Sequence, residues 1–169
     1  MAKNTAGSGG GHAQASIAGM VLLRIFLGAF FLYIVFTDKI GNPGAFTHQL
    51  AEWTRSGGLF VAGNQWPAFG TFLAKTVYPN AQAVAWLLIF SELLVGAMLL
   101  VGLLTRLAGL GALVLSTLYT LATFHLPAEF WGNGLAFAVA SLAVIIAAAG
   151  RTWGIDAFIA QRTKVKLLW

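Results

Sequence analysis

Residues 81–104 read AQAVAWLLIFSELLVGAMLLVGLL, a single apolar run interrupted by one charge, Glu92. A helix needs about 20 residues, at about 1.5 Å each, to cross the hydrocarbon of a bilayer. This run is long enough, and it lacks the alternation of a barrel strand of about ten residues. An open sheet would leave backbone amides unsatisfied in lipid, so a transmembrane helix is the only sensible reading. Outward from it lie three more runs of the same kind, at about residues 17–37, 107–126 and 131–149. The link between the runs at 81–104 and 107–126 is little more than Leu104-Thr105-Arg106, and the next link is Pro127-Ala128-Glu129-Phe130. Links this short make neighbours antiparallel. The expected fold is all-α, an integral membrane four-helix bundle running up-down-up-down.

Composition agrees. Hydrophobic residues make up 59 % of the 169 residues and charged residues 9 %, against about 45–50 % and about 25 % in soluble domains. Too few polar residues remain to cover a soluble globule. The chain has no cysteine, which excludes a disulfide scaffold, iron–sulfur clusters, covalently attached c-type haem and dithiol redox chemistry. The net charge of +5 comes from basic residues that flank apolar runs. It reads as membrane topology and contact with anionic lipid, not as nucleic-acid binding. Lys3, Arg106, Arg151, Arg162, Lys164 and Lys166 fall on one side, Lys39, Arg55 and Lys75 on the other. That bias places both termini in the cytoplasm and the chain in the inner (cytoplasmic) membrane.

Three pieces flank or interrupt the bundle of residues 17–150. Residues 1–16, rich in Gly, Ser and Ala, read as a disordered tail. The outer loop 38–80 is too long to be structureless. It reads as two amphipathic helices lying as a lid: residues 45–56, with a stripe of Phe46, Leu50 and Trp53, and a second starting at Pro67 and ending before Pro79. Residues 151–169 read as a basic interfacial segment, with Trp153, Phe158 and Ile159 toward lipid.

Ionisable groups inside a span cost about 2.5–3.5 kcal/mol each on insertion scales, so they default to functional hypotheses. Arg24 and Glu92 are the two. Counted from the ends of their runs they lie at depths of about 10 and about 18 Å, which suggests that they pair inside the bundle. The functional reading is a polar pocket that binds a quinone carbonyl or an anion and relays a proton; a structural ion pair, or an arginine snorkelling to the surface, is the plainer one. Ser116, Tyr119, Thr120 and Thr123 form a polar ridge on one helix face. Ser116, Tyr119 and Thr120 are quinone-binding candidates, with backbone hydrogen bonding as the plainer reading. His125 is a candidate proton acceptor, and Arg55 and Lys75 are candidates for a substrate anion. Asp38-Lys39 reads as a local surface pair. Tyr33, Trp66, Tyr78, Trp86 and Trp131 read as an interfacial aromatic belt. A His48–His125 haem pair has no supporting spacing, and no metal, haem or flavin site is evident.

These residues carry a resemblance. Arg24-Ile25-Phe26-Leu27-Gly28-Ala29-Phe30-Phe31 with Asp38-Lys39-Ile40 opens the pattern. Ser91-Glu92-Leu93-Leu94-Val95-Gly96 and Leu99-Leu100-Val101-Gly102-Leu103-Leu104-Thr105-Arg106 continue it, and Gly150-Arg151-Thr152-Trp153-Gly154-Ile155-Asp156 closes it. Together they resemble the DoxX/DoxD family over residues 20–160. The long loop, with Trp66-Pro67, Phe72 and Tyr78-Pro79-Asn80-Ala81, is closer to the DoxD branch. The resemblance implies the larger subunit of a thiosulfate:quinone oxidoreductase, oxidation of thiosulfate to tetrathionate with electrons passed to quinone, and a DoxA-like partner. Two other readings stay open. One is a non-catalytic accessory subunit of a larger respiratory or photosynthetic membrane complex, packing against it or shielding a quinone channel. The other is a small transporter.

Overall fold

The computed structural model describes residues 9–147 and 154–160, with side chains for 18–147 and 154–158. The tail expected over 1–16 lies outside these residues up to 8. The basic segment expected over 151–169 lies outside them apart from 154–160. Among the described residues every regular element is helical. Helix α1 (Gly9–Ile34) continues as a π turn, Val35–Lys39. Helix α2 (Pro43–Thr54) follows, then α3 (Pro67–Phe72), a second π turn at Leu73–Val77 and a 3-10 turn at Tyr78–Asn80. These lead into α4 (Ala81–Val101), α5 (Thr105–Thr123), α6 (Ala128–Ala147) and α7 (Ile155–Ala160).

Four stretches are long and apolar enough to span a membrane: Ala18–Lys39, Pro67–Val101, Thr105–Thr123 and Ala128–Ala147. The protein is a multi-pass membrane bundle. Helices α1, α4, α5 and α6 form a closed ring of neighbours, α1 on α4, α4 on α5, α5 on α6 and α6 on α1. The start of α1, the end of α6 and α7 lie at one end of this ring, the terminal end, and residues 38–80 at the other, the lid end.

Local chemistry sets the boundaries. Asn42 caps α2 by accepting from the Ala45 N–H at 3.0 Å, with Pro43 in the first turn where its missing N–H costs nothing. The second lid helix was expected to end before Pro79, but the helical path runs through it without a break. A proline inside a helix removes one hydrogen bond and crowds the preceding turn. Here the widened π turn and the tight 3-10 turn take up the misfit, and Asn80 Nδ2 donates to the Thr76 carbonyl at 2.8 Å. The resulting 35-residue helix is longer than a bilayer core of about 30 Å requires, and its first part belongs to the lid. Helix α4 ends on Gly102 in the left-handed conformation, φ 70°.

The bundle is solid in one half and hollow in the other. Leu27, Leu99, Ala112 and Val144 are fully buried in a core that fills the terminal half. Gly28 lets α1 lie directly on α4, since a Cβ there would come 2.6 Å from the Leu100 nitrogen and 2.8 Å from the Gly96 oxygen. Toward the lid, Phe46 and Leu50 of α2 pack on Val35, Ala85 and Ile89, and Phe60 packs on Leu73, Val77 and Ala122.

Candidate functional site

Beneath the lid lies a cavity of about 600 Å³. Its walls come from Phe30, Phe31 and Ile34 of α1, Leu87 and Leu88 of α4, Leu115, Ser116 and Tyr119 of α5, and Asn133, Gly134 and Phe137 of α6. The roof is Phe46, Leu50 and Trp53 from α2, with Phe60, Phe69 and Phe72. The stripe expected on the first lid helix is therefore the face that closes the cavity, while His48, Glu52 and Arg55 are exposed. The lining is mostly aromatic and aliphatic, which suits a flat, largely apolar ligand.

One charged pair faces this lining. Lys39 Nζ donates to both carboxylate oxygens of Glu92, at 2.6 and 2.5 Å, and the two side chains are only 11 % and 13 % exposed. The ammonium also lies 4.8 Å from the centroid of the Phe46 ring. The π turn that ends α1 delivers Lys39 to this position, and π turns recur at functional sites. This corrects two sequence expectations. Lys39 is not half of a surface pair with Asp38, and Glu92 is not the partner of Arg24. The packing of Gly28 against Gly96 and Leu100 fixes the register of α1 on α4, and in that register Arg24 sits beside Gly102. Ten positions separate Gly102 from Glu92, about 15 Å along the helix and beyond the reach of an arginine side chain. Depths counted from the ends of apolar runs carry no register, which is why that estimate failed.

Arg24 belongs to a different cluster at the terminal end. It is 3 % exposed, and its guanidinium lies against Gly102 and Gly154, near the Asp156 carboxylate. Asp156 is fully buried and accepts from the backbone N–H groups of Leu104, at 2.6 Å, and Thr105, at 2.8 Å, so it caps α5 from a distant part of the chain. Its own N–H donates to the Gly102 carbonyl at 2.9 Å.

The other candidates divide. Ser116 and Tyr119 line the cavity. Thr120 is buried and donates to the Ser116 carbonyl at 2.8 Å, the plainer reading given for the ridge. His125 does not line the cavity. Its Nε2 lies 2.9 Å from the Leu59 carbonyl, tying the 59–66 turn to the end of α5 beside Asn64, which reaches the Leu121 carbonyl at 3.3 Å. Arg55 is exposed and paired with Glu52 at 2.8 Å. Lys75 borders a shallow pocket of about 380 Å³ with Ser56, Asn64 and Thr71. Tyr33, Trp66, Tyr78 and Trp86 are exposed outside the cavity. The residue most clearly missed was Lys39, and its spacing of four from the buried Val35 was the available signal, since that places both on one helix face.

Fold and cavity together define a small multi-pass four-helix membrane protein with a lidded, aromatic cavity around one buried ion pair. A family profile described as TQO small subunit DoxD, TQO being thiosulfate:quinone oxidoreductase, matches residues 20–169, and the chain belongs to the DoxD family. That description makes DoxD the small subunit, against the larger one the resemblance implied. The family is one of membrane subunits of a quinone-linked oxidoreductase, and a subunit implies a partner chain. No solved structure matches the chain.

Proposed function

We propose that the chain is the quinone-reducing membrane subunit of a thiosulfate-oxidising enzyme, and that the cavity beneath the lid holds the quinone ring. The observation that carries this reading is the Lys39–Glu92 pair set into an otherwise apolar, aromatic wall. Trp53, Phe60 and Phe137 give the cavity wall aromatic rings for a flat ligand to pack on, and the Lys39 ammonium supplies a donor for one ring carbonyl. Glu92, at the same point, holds or moves the proton that the carbonyl oxygen takes up on reduction. Ser116 and Tyr119 offer hydroxyls on the facing wall. Phe72 and Leu87 line the cavity and are also 48 % and 64 % exposed, so the lining continues onto the apolar outer surface, where a lipid-dissolved quinone would approach.

The overall reaction balances. Two thiosulfate ions join through a new S–S bond to give one tetrathionate and release two electrons; one quinone takes these with two protons and becomes quinol. Lys75, at its pocket with Ser56, Asn64 and Thr71, is the better placed of the two anion candidates, because Arg55 is engaged by Glu52. The excess of Lys and Arg at the terminal end supports cytoplasmic termini in the inner membrane.

The test is thiosulfate-dependent quinone reduction by the chain with its partner subunit in native membranes. Lys39→Met and Glu92→Gln are each expected to lower kcat about 100-fold per folded molecule, the usual scale for removing a positioned acid or base, with the amount of folded protein measured alongside. Wild-type turnover in both variants would refute the site.

A further inference from the structure

We infer that water and protons reach the Lys39–Glu92 pair from the lid face alone, so that quinone reduction in this cavity takes up both of its protons on that side of the membrane. The inference rests on the quinone reading above and adds a direction to it. The two halves of the bundle carry the argument. Between Glu92 and the terminal end, the interior is filled by Leu27, Leu99, Ala112 and Val144, each fully buried and apolar, and the buried Ser141 hydroxyl one turn from Val144 is committed to the Phe137 carbonyl at 2.7 Å. A proton cannot cross such a layer without polar groups or water to carry it. Among the described residues the charged groups beyond that layer are Arg24, Arg106 and Asp156, and Asp156 is committed to the backbone of Leu104 and Thr105.

Toward the lid the situation reverses. Asp38, Thr76 and Asn133 line the cavity and are exposed, and they sit at the lid ends of their elements. Asp38 stands one residue from Lys39 on the same π turn. The ionisable groups lining the cavity are Asp38, Lys39, Glu92 and Tyr119; His125 lies outside it, turned to Leu59. Asp38 at the rim and Lys39–Glu92 within thus form a line of charged groups into the cavity from the lid face. If thiosulfate is oxidised at the same face, reduction of quinone with lid-side protons moves no net charge across the membrane.

The natural absence of cysteine makes the claim directly measurable. Ser116→Cys places a thiol on the cavity wall, and Ala112→Cys places one in the solid half. Each variant is reconstituted in vesicles, oriented by protease access to a C-terminal tag, and treated with a membrane-impermeant methanethiosulfonate from one face at a time. Ser116→Cys should react at least tenfold faster from the lid face, and Ala112→Cys should stay unlabelled from both. Labelling of Ser116→Cys that is faster from the terminal face, equal from both, or absent overturns the inference. Repeating the reaction with a short-tailed quinone separates the two claims. Sided labelling that quinone does not slow leaves the lid-side route standing and sinks the quinone reading; quinone protection without sidedness does the reverse. In vesicles carrying the enzyme with its partner, turnover should alkalinise the lid-side medium, and alkalinisation of the other compartment contradicts the inference.

Discussion

A lysine and a glutamate that meet within a membrane span have given up most of their hydration. The pair repays that cost only while both charges are present, so removing one partner of such a buried pair costs about 3–5 kcal/mol. This makes Lys39 and Glu92 sensitive positions whatever their chemistry, and Lys39→Met with Glu92→Leu together is the variant that removes the chemistry without stranding a charge. At the other end of the bundle, Leu104 adopts a positive φ of 46° and Gly102 one of 70°. Strain of this sort, about 1–2 kcal/mol at a non-glycine residue, persists only where the surroundings hold it. Asp156 does so by accepting both following amides. Asp156→Ala, leaving two buried N–H groups unpaired, should cost about 1–3 kcal/mol for each. Gly102→Ala should be comparably harmful, since its Cβ would land on the Arg24 guanidinium. Thermal unfolding in detergent reads both, and an unchanged Tm for either would show that this cluster does not hold the turn. Glu92 was legible in the sequence because a carboxylate inside an apolar run is costly and stands out, whether it serves a structural ion pair or a site. Its partner was not, because hydropathy gives the length of a span but not its register, and here the register is set by the close approach of Gly28 to Gly96.

At the scale of elements, the lid does what a helix on the surface would not. Helix α2 was legible through the spacing of Phe46, Leu50 and Trp53, together with Asn42 and Pro43 at its start. Its role as the roof of a cavity was hidden, because an amphipathic stripe looks the same whether it faces lipid or protein. The two π turns were hidden as well; nothing in composition marks Val35–Lys39 or Leu73–Val77, yet they aim Lys39 and Thr76 at the cavity. The 59–66 turn is held to α5 by His125 and Asn64. Each tie is worth about 1 kcal/mol. Removing both, in Asn64→Ala with His125→Ala, should speed amide exchange over residues 59–66 and weaken quinone binding several-fold. The pH profile of turnover should stay that of the wild type, because His125 faces Leu59 and not the cavity. A changed profile in His125→Ala, with the turn still protected from exchange, would return that histidine to the chemistry.

On the scale of the whole molecule, the four spans and their ring of antiparallel neighbours were legible from run length and link length alone. What those signals omit is the division into a solid terminal half and a hollow lid half, which arises from side-chain sizes meeting across helices. Aliphatic residues interdigitate at the level of Leu27, Leu99 and Val144, whereas toward the lid Gly134 lets α6 lie close on α5, a Cβ there coming 2.5 Å from Thr120 Oγ1, and the space is left beneath the ring-bearing roof of α2 and Phe60. Family membership over residues 20–169 gives this architecture its setting among membrane subunits of a quinone-linked enzyme. The central claim is that quinone binds at the Lys39–Glu92 pair, and calorimetric titration of a short-tailed quinone into the purified chain in nanodiscs tests it most directly. The wild type should bind one equivalent, and the folded Lys39→Met, Glu92→Leu double variant should bind at least tenfold more weakly, a loss of about 1.4 kcal/mol. Equal affinity in the two proteins would contradict it.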